Sequence, residues 1–142
     1  MKDGSRFPWA YLSAGILALL TLGVFYVLQD YGPESAIRKF HVAAAAGDAG
    51  ALQSVTQQPV RTQEVQILAA KVRRLLGEGY RYQVLRMDRS PTQVRAAVVY
   101  TVGNIELPEI WVVEKDGRSW KIDAFTTEGI QRDSLGFSFG NP

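Results

Sequence analysis

The sequence contains no cysteine and only one histidine, His41. Without cysteine, the chain has no disulfide framework, thiolate metal site, thiol nucleophile or lipid-modified cysteine. One histidine, with carboxylates that are not spaced as ligands, gives no recognisable metal site. The glycine-rich phosphate-binding motifs, the nucleophile elbow of hydrolases and the zinc-binding HExxH motif are absent as well. We therefore expect the protein to bind neither a metal ion nor another cofactor.

Charged residues are distributed unevenly along the chain. The formal net charge is +2, which is too small to indicate nucleic-acid binding. Residues 61–95 carry eight basic and three acidic side chains, whereas residues 100–142 carry four basic and seven acidic ones. This uneven distribution of charge would steer a charged partner towards the protein or let the basic region face anionic lipid headgroups. The alternative is that it marks an ordinary solvated face. The basic candidates for docking to a protein or lipid lie in one predicted helix: Lys71, Arg73 and Arg74.

The longest apolar run spans residues 7–28, which include no charged side chain. A helix of this length extends roughly 33 Å, enough to cross a hydrocarbon core of about 30 Å. Trp9 near its start and Tyr26 near its end suit the two headgroup regions. A cleaved signal peptide is the main alternative, but this run is longer than the apolar core of an ordinary signal peptide. The pattern therefore predicts an uncleaved transmembrane helix over residues 7–28.

The residues that flank this run predict its orientation. Basic Lys2 and Arg6 precede it, whereas acidic Asp30 and Glu34 follow it. Because basic flanks tend to remain in the cytoplasm, we expect residues 1–6 to lie inside and the rest of the chain to lie outside. Small residues in the run would let a partner helix approach closely, and the candidates are Ala14, Gly15 and Ala18.

Three shorter helices are predicted after the apolar run. Gly32-Pro33 would end one helix and start the next, which continues to about Ala46 with apolar residues at helical spacing. Gly47 suits the end of that helix, and Asp48 suits the cap of a short second one. A third helix with an apolar stripe is expected over residues 62–76.

The apolar period changes from about 3.6 to 2 after Gly79, which indicates β-strands. Turn signals at residues 88–91, Gly103-Asn104 and Asp116-Gly117 divide the region into four strands. Residues 32–125 are therefore predicted to form one α+β domain, in which three helices pack on a four-stranded antiparallel sheet. The remaining residues, 126–142, are interpreted as a C-terminal tail. Its candidates for docking to a partner are Leu135, Phe137 and Phe139.

Two segments carry a family resemblance. The first is PESAIRKF at residues 33–40, which leads through alanines to Gly47-Asp48, and the second is IWVVEKDGRSWKI at residues 110–122. In this order they resemble the nuclear transport factor 2-like superfamily, and in particular the small extracytoplasmic domains that bacteria tether to a membrane. The resemblance implies a curved sheet wrapped around the helices as a cone with an apolar pocket. With the apolar run, it places the chain in the bacterial cytoplasmic (inner) membrane, with the domain on the periplasmic side.

The implied cone suggests two functions for its interior. A small apolar ligand would contact the pocket candidates Phe40, His41, Tyr82, Val98, Trp111 and Trp120. An isomerase-like or dehydratase-like enzyme would use His41 as a base with Asp88 or Asp123. The tyrosines available to such an enzyme are Tyr80, Tyr82 and Tyr100. The simpler interpretation is that His41 and these tyrosines belong to the core, because the sequence pairs His41 with no particular carboxylate.

The leading hypothesis combines these observations in a protein that performs no catalysis. The superfamily includes isomerases, dehydratases and members without chemistry, so the resemblance assigns no activity by itself. The sequence carries no catalytic constellation, but it has a predicted anchor and a split in charge. We therefore expect a single-pass membrane protein whose outer domain docks to other membrane protein subunits, as an accessory subunit of a larger bacterial complex.

Overall fold

The computed structural model describes the backbone of residues 9–138 and the side chains of residues 9–25 and 32–134. The chain divides into two units, Met1–Asp30 and Tyr31–Pro142. Helix α1, Trp9–Tyr31, accounts for the described part of the first unit. Its described side chains are all exposed.

Helix α1 overturns the predicted membrane span over residues 7–28. Within the described part of the chain, no helix combines the length and the apolarity that crossing a bilayer requires. The predicted transmembrane anchor was therefore wrong, and so was the single-pass location in the bacterial inner membrane that depended on it.

The second unit begins with three helices: α2 (Pro33–Ala46), α3 (Ala49–Ser54) and α4 (Thr62–Gly77). Gly47 ends α2 with a φ of 68°, a left-handed conformation that glycine adopts without a steric penalty. Asp48 then caps α3, because its carboxylate accepts a hydrogen bond of 3.1 Å from the Ala51 N–H. The Gly-Asp step therefore separates the two helices as its chemistry predicts.

Four strands form one antiparallel sheet in chain order: β1 (Arg81–Arg89), β2 (Gln93–Val102), β3 (Ile105–Asp116) and β4 (Ser119–Ile122). A two-residue turn joins β2 to β3, and Gly103 has the positive φ, 55°, that this turn requires. The ladder between β1 and β2 is shifted at one place, because Val84 pairs with Val98 but Arg86 pairs with Ala97. Leu85 is therefore the extra residue of a β-bulge.

One face of the sheet, here called the inner face, packs against the helices. Helix α2 contacts α3, α4, β3 and β4 and supplies the centre of the core with Ile37 and Phe40, both fully buried. Across from α2, the inner face contributes Val98, Trp111 and Val113. Burial of these apolar surfaces is the main force that holds helices and sheet together.

Helix α5 occupies Ala124–Ser138, where the sequence had predicted a tail from residue 126. Asp123 caps it, with one carboxylate oxygen accepting a 3.0 Å hydrogen bond from the Thr126 N–H. The predicted order of a membrane helix followed by three helices was therefore wrong. Residues 9–138 form five helices and a four-stranded antiparallel sheet, which is an α+β fold.

The position of α5 follows from the shortness of β4. Strand β4 pairs only with residues 113–116 of β3, so the edge of β3 before residue 113 has no strand beside it there. Two side chains of α5 pair with its backbone instead: Thr127 Oγ1 accepts a 2.9 Å hydrogen bond from the Val112 N–H, and Gln131 Nε2 donates one of 3.1 Å to the Ile110 carbonyl. Helix α5 therefore satisfies backbone groups that a longer β4 would have paired.

Candidate functional site

His41 lies on the buried side of α2 and uses both ring nitrogens internally. Its Nδ1 is 2.7 Å from the Ile37 carbonyl and its Nε2 is 2.6 Å from the Tyr100 hydroxyl. A carbonyl can only accept, so the proton of the neutral ring resides on Nδ1. Nε2 then accepts the hydrogen bond that the Tyr100 hydroxyl donates. This arrangement fixes the tautomer of His41 and ties α2 to β2.

Burial also determines the protonation state of this pair. Removal from water lowers the pKa of His41 from 6.5 to about 4, and the hydrogen bond to Ile37 offsets only part of that effect. Burial likewise raises the pKa of Tyr100 above its usual value, opposed by the nearby Trp111 N–H. At neutral pH, therefore, His41 is uncharged and Tyr100 keeps its proton.

Aromatic rings surround His41. Its ring stacks on Tyr82 at a centroid distance of 4.1 Å and lies 5.0 Å from Trp111, which in turn meets Phe40 edge-on at 5.2 Å. The indole N–H of Trp111 is buried without a well-formed hydrogen bond among the described residues, although it lies beside the Tyr100 hydroxyl. These rings make His41 part of a dense aromatic cluster.

The structure brings most of the predicted pocket residues together, with their rings in contact with one another. Phe40, His41, Val98 and Trp111 are all buried, and the half-buried Tyr82 covers His41. Trp120 lies apart from them, because its partner on β3 is Lys115, four residues or about 13 Å from Trp111. A groove of about 360 Å³ opens elsewhere, between α2 and α3, along Val42, Ala46, Ala51 and Val55.

Neither carboxylate that was considered as a catalytic partner faces His41. Asp88 is exposed on the outer face of the sheet, where it lies opposite Arg95 and 3.4 Å from Arg86. Asp123 caps α5, and its second oxygen accepts a 2.6 Å hydrogen bond from the Thr126 hydroxyl. Tyr80 precedes β1 and is bonded through its N–H to Leu75. The proposed acid–base pair of His41 with Asp88 or Asp123 is therefore not assembled in this structure.

The basic docking candidates of α4 have three different environments. Lys71 is partly buried, forms an ion pair with Glu109 and donates a 3.0 Å hydrogen bond to Gln131. Arg73 is exposed and lies against Gly47, so that a side chain at position 47 would collide with its guanidinium. Arg74 is exposed on α4. Lys71 thus joins α4, β3 and α5, whereas only the two arginines face solvent.

The remaining candidates lie at the two ends of the chain. Ala14, Gly15 and Ala18 are exposed residues of α1. Leu135 and Phe137 fall in the last turns of α5, but their side chains lie outside the described residues, as does Phe139 altogether. Within the described residues, no group of three or more histidine, aspartate or glutamate side chains is arranged to hold a metal ion.

A basic surface on the outer face of the sheet was not among the predicted sites. Arg81 and Arg86 on β1 and Arg95 on β2 are exposed there, and we call these three residues the arginine surface. Asp88 neutralises part of their charge, which leaves a net charge of about +2. Between the arginines the face is less polar, with the partly exposed Ala97 and Val99 on β2.

The bulge at Leu85 explains why this surface was missed. Strict alternation along β1 would place Arg86 on the side of Tyr82 and Val84, which is the inner face. The extra residue reverses the alternation, so Arg86 shares the outer face with Arg81. The excess of basic residues between positions 61 and 95 was the available signal, but the sequence alone did not reveal the register.

No protein-family model, curated protein or solved structure matches this chain. The resemblance to the nuclear transport factor 2-like superfamily consequently stays a prediction.

Proposed function

We propose that the second unit is a docking module that binds an acidic region of a partner protein and performs no catalysis. The observation that supports this most directly is the arginine surface. Arg81, Arg86 and Arg95 are exposed on one face, and the side chain of Arg86 is 80% exposed although Asp88 lies beside it. Such a cluster raises the rate of encounter with an acidic partner and orients it.

The interior of the unit favours neither of the alternative functions. A general base needs a pKa near the working pH and access to substrate. His41 has neither, because both ring nitrogens are hydrogen-bonded and its side chain is 1% exposed. A small apolar ligand would have to displace the Phe40–Trp111 and His41–Tyr82 ring contacts. We therefore place the binding of the partner on the outer face of the sheet, at the arginine surface.

A protein fits the arginine surface better than a nucleic acid. Single-stranded nucleic acids bind through aromatic rings whose faces are open for base stacking. The tyrosine on β1, Tyr82, lies on the opposite face of the sheet with its ring stacked on His41. The apolar Ala97 and Val99 beside the arginines instead match the mixed composition of a protein interface.

The test is a calorimetric titration of the full chain with poly-L-glutamate. A variant with Arg81→Glu, Arg86→Glu and Arg95→Glu should bind at least about tenfold more weakly, because attraction becomes repulsion. The matched control replaces three other exposed arginines, Arg73, Arg74 and Arg118, by glutamate. It should bind nearly as well as the unaltered chain. Circular dichroism confirms that both variants are folded.

Two results would contradict the proposal. Equal weakening by the two triple variants would mean that only net charge matters and that the sheet surface has no special role. Tighter binding of a mixed-sequence single-stranded oligonucleotide than of poly-L-glutamate at the same ionic strength would assign the surface to nucleic acid instead. Measuring at two salt concentrations verifies that any binding is electrostatic.

A further inference from the structure

Strand β1 is an open edge of the sheet. Among the described strands it pairs only with β2, and none of its residues is buried. Every second N–H and C=O group of such a strand points away from the sheet, and these groups are available to an additional strand. The edge is nine residues long, from Arg81 to Arg89. That is long enough for a typical strand of five or six residues to add.

The side chains of β1 differ sharply between its two faces. The outer face presents the exposed Arg81, Gln83 and Arg86, and near its end the exposed Asp88. On the inner face, Tyr82, Val84 and Met87 are only partly buried, although they pack against the core. From Tyr82 to Met87 the inner face is therefore apolar as far as the edge of the sheet, where one more strand would cover it, and the exposed Arg89 follows.

We infer that β1 binds an extended segment of the partner protein, whose side chains alternate between acidic and apolar, as a fifth strand of the sheet. This inference rests on the proposed docking function and specifies its ligand. The acidic side chains of the segment lie beside Arg81 and Arg86 on the outer face. Its apolar side chains lie beside Tyr82, Val84 and Met87 on the inner face, and backbone hydrogen bonds join the two strands.

The same features disfavour pairing between two copies of β1. Each β1 carries three arginines and one aspartate, so two copies side by side would repel each other through their net positive charge. The bulge at Leu85 also bends the edge and interrupts the regular ladder that two rigid sheets would need to pair. A flexible acidic segment can follow this bend. The edge is thus protected against self-association and at the same time selective for an acidic strand.

Peptides provide a direct test with the full chain. A fluorescent peptide of about eight residues, with equal numbers of alternating glutamates and valines, is compared with two methylated isomers, one N-methylated at every glutamate and the other at every valine. Alternate residues of a strand direct their N–H groups to opposite edges, so each isomer blocks one edge only. Fluorescence anisotropy should show that one isomer binds about as tightly as the parent peptide and the other at least about tenfold more weakly.

The outcomes separate this inference from the proposed function. Equal affinities of the two isomers, whether both are retained or both are lost, would overturn strand addition. Arg86→Glu should weaken the parent peptide about tenfold, and Arg118→Glu in the turn after β3 should leave it unchanged. If the isomers bind equally while Arg86→Glu still weakens binding, only strand addition is wrong. If Arg86→Glu and Arg118→Glu bind the parent peptide alike, the docking function fails as well.

Discussion

The Nε2 atom of His41 lies 2.6 Å from the Tyr100 hydroxyl, although 59 positions separate the two residues in sequence. The bond joins the first helix of the second unit to the second strand of its sheet. Both partners are buried, so any change in the protonation of either one acts on the stability of the whole unit.

The stability of the folded chain should depend on pH through His41. Its pKa is about 4 in the folded chain and near 6.5 in the unfolded chain, so between these values the unfolded chain binds more protons. The contribution of neutral His41 to the free energy of unfolding should therefore be complete above pH 6.5. As the pH decreases towards 4, the free energy of unfolding should fall by about 3 kcal/mol. Urea denaturation at intervals between pH 5 and 7 measures the slope in a range where few carboxylates titrate.

The control for this measurement is His41→Gln, which has no group that titrates in the same range. Its free energy of unfolding should be lower throughout but nearly independent of pH between 5 and 7. Identical slopes for the two proteins would refute the assignment of a depressed pKa to His41. The ¹⁵N chemical shifts of the ring provide a second check, because they distinguish the Nδ1–H tautomer required by the Ile37 carbonyl.

The ion pair of Lys71 with Glu109 should contribute to stability and not to docking. The side chains are 22% and 12% exposed, so both charges are partly removed from water. A double-mutant cycle with Lys71→Met and Glu109→Gln should give a coupling energy of about 1–2 kcal/mol in urea denaturation. Arg74→Met on the same helix is the control and should change stability by less than about 0.5 kcal/mol, since Arg74 is exposed. A coupling energy near zero would show that the pair is only a surface contact.

The contact between α5 and β3 should depend on one hydroxyl. Thr127→Val keeps the shape of the side chain but leaves the buried Val112 N–H without its acceptor. We expect a loss of about 1–3 kcal/mol in the free energy of unfolding and faster hydrogen exchange at the Val112 amide. Thr126→Val is the neighbouring control and should leave exchange at Val112 unchanged, because the Thr126 hydroxyl bonds to Asp123. Unchanged exchange in Thr127→Val would mean that α5 does not protect this edge.

The regular part of the second unit is predictable from local chemistry. Gly47 and Asp48 mark a helix boundary by conformation and capping, and Gly103 marks a tight hairpin by its positive φ. Each of these signals acts between residues that are close in sequence. Helix starts, helix ends and turns are therefore visible without any tertiary information.

Helix α5 was missed because its formation depends on tertiary contacts. Its sequence contains Gly129 together with several threonine and serine residues, which favour other conformations over helix. The helix is fixed instead by its hydrogen bonds to Val112 and Ile110 on β3. These contacts exist only because β4 is short, which is a property of the assembled sheet.

The candidate site was missed for a related reason. Assigning alternate residues to opposite faces assumes a strand without a bulge. The one unpaired residue, Leu85, therefore reverses the predicted face for every later position of β1. The interior shows the reverse situation. Most of the residues that the resemblance implied for a pocket are neighbours, with Trp120 as the exception, but whether such residues enclose a cavity depends on rotamers and ring contacts that no sequence pattern encodes.

The two edges of the sheet differ in what protects them: β1 is open, whereas helix α5 covers the edge of β3. Removal of the last helix by proteolysis would strip the cover from Ile110 and Val112 and expose a run of apolar, β-forming residues. Residues 110–113 of β3 carry no charged side chain that would repel a second molecule, so chains clipped after Asp123 should self-associate into insoluble cross-β aggregates.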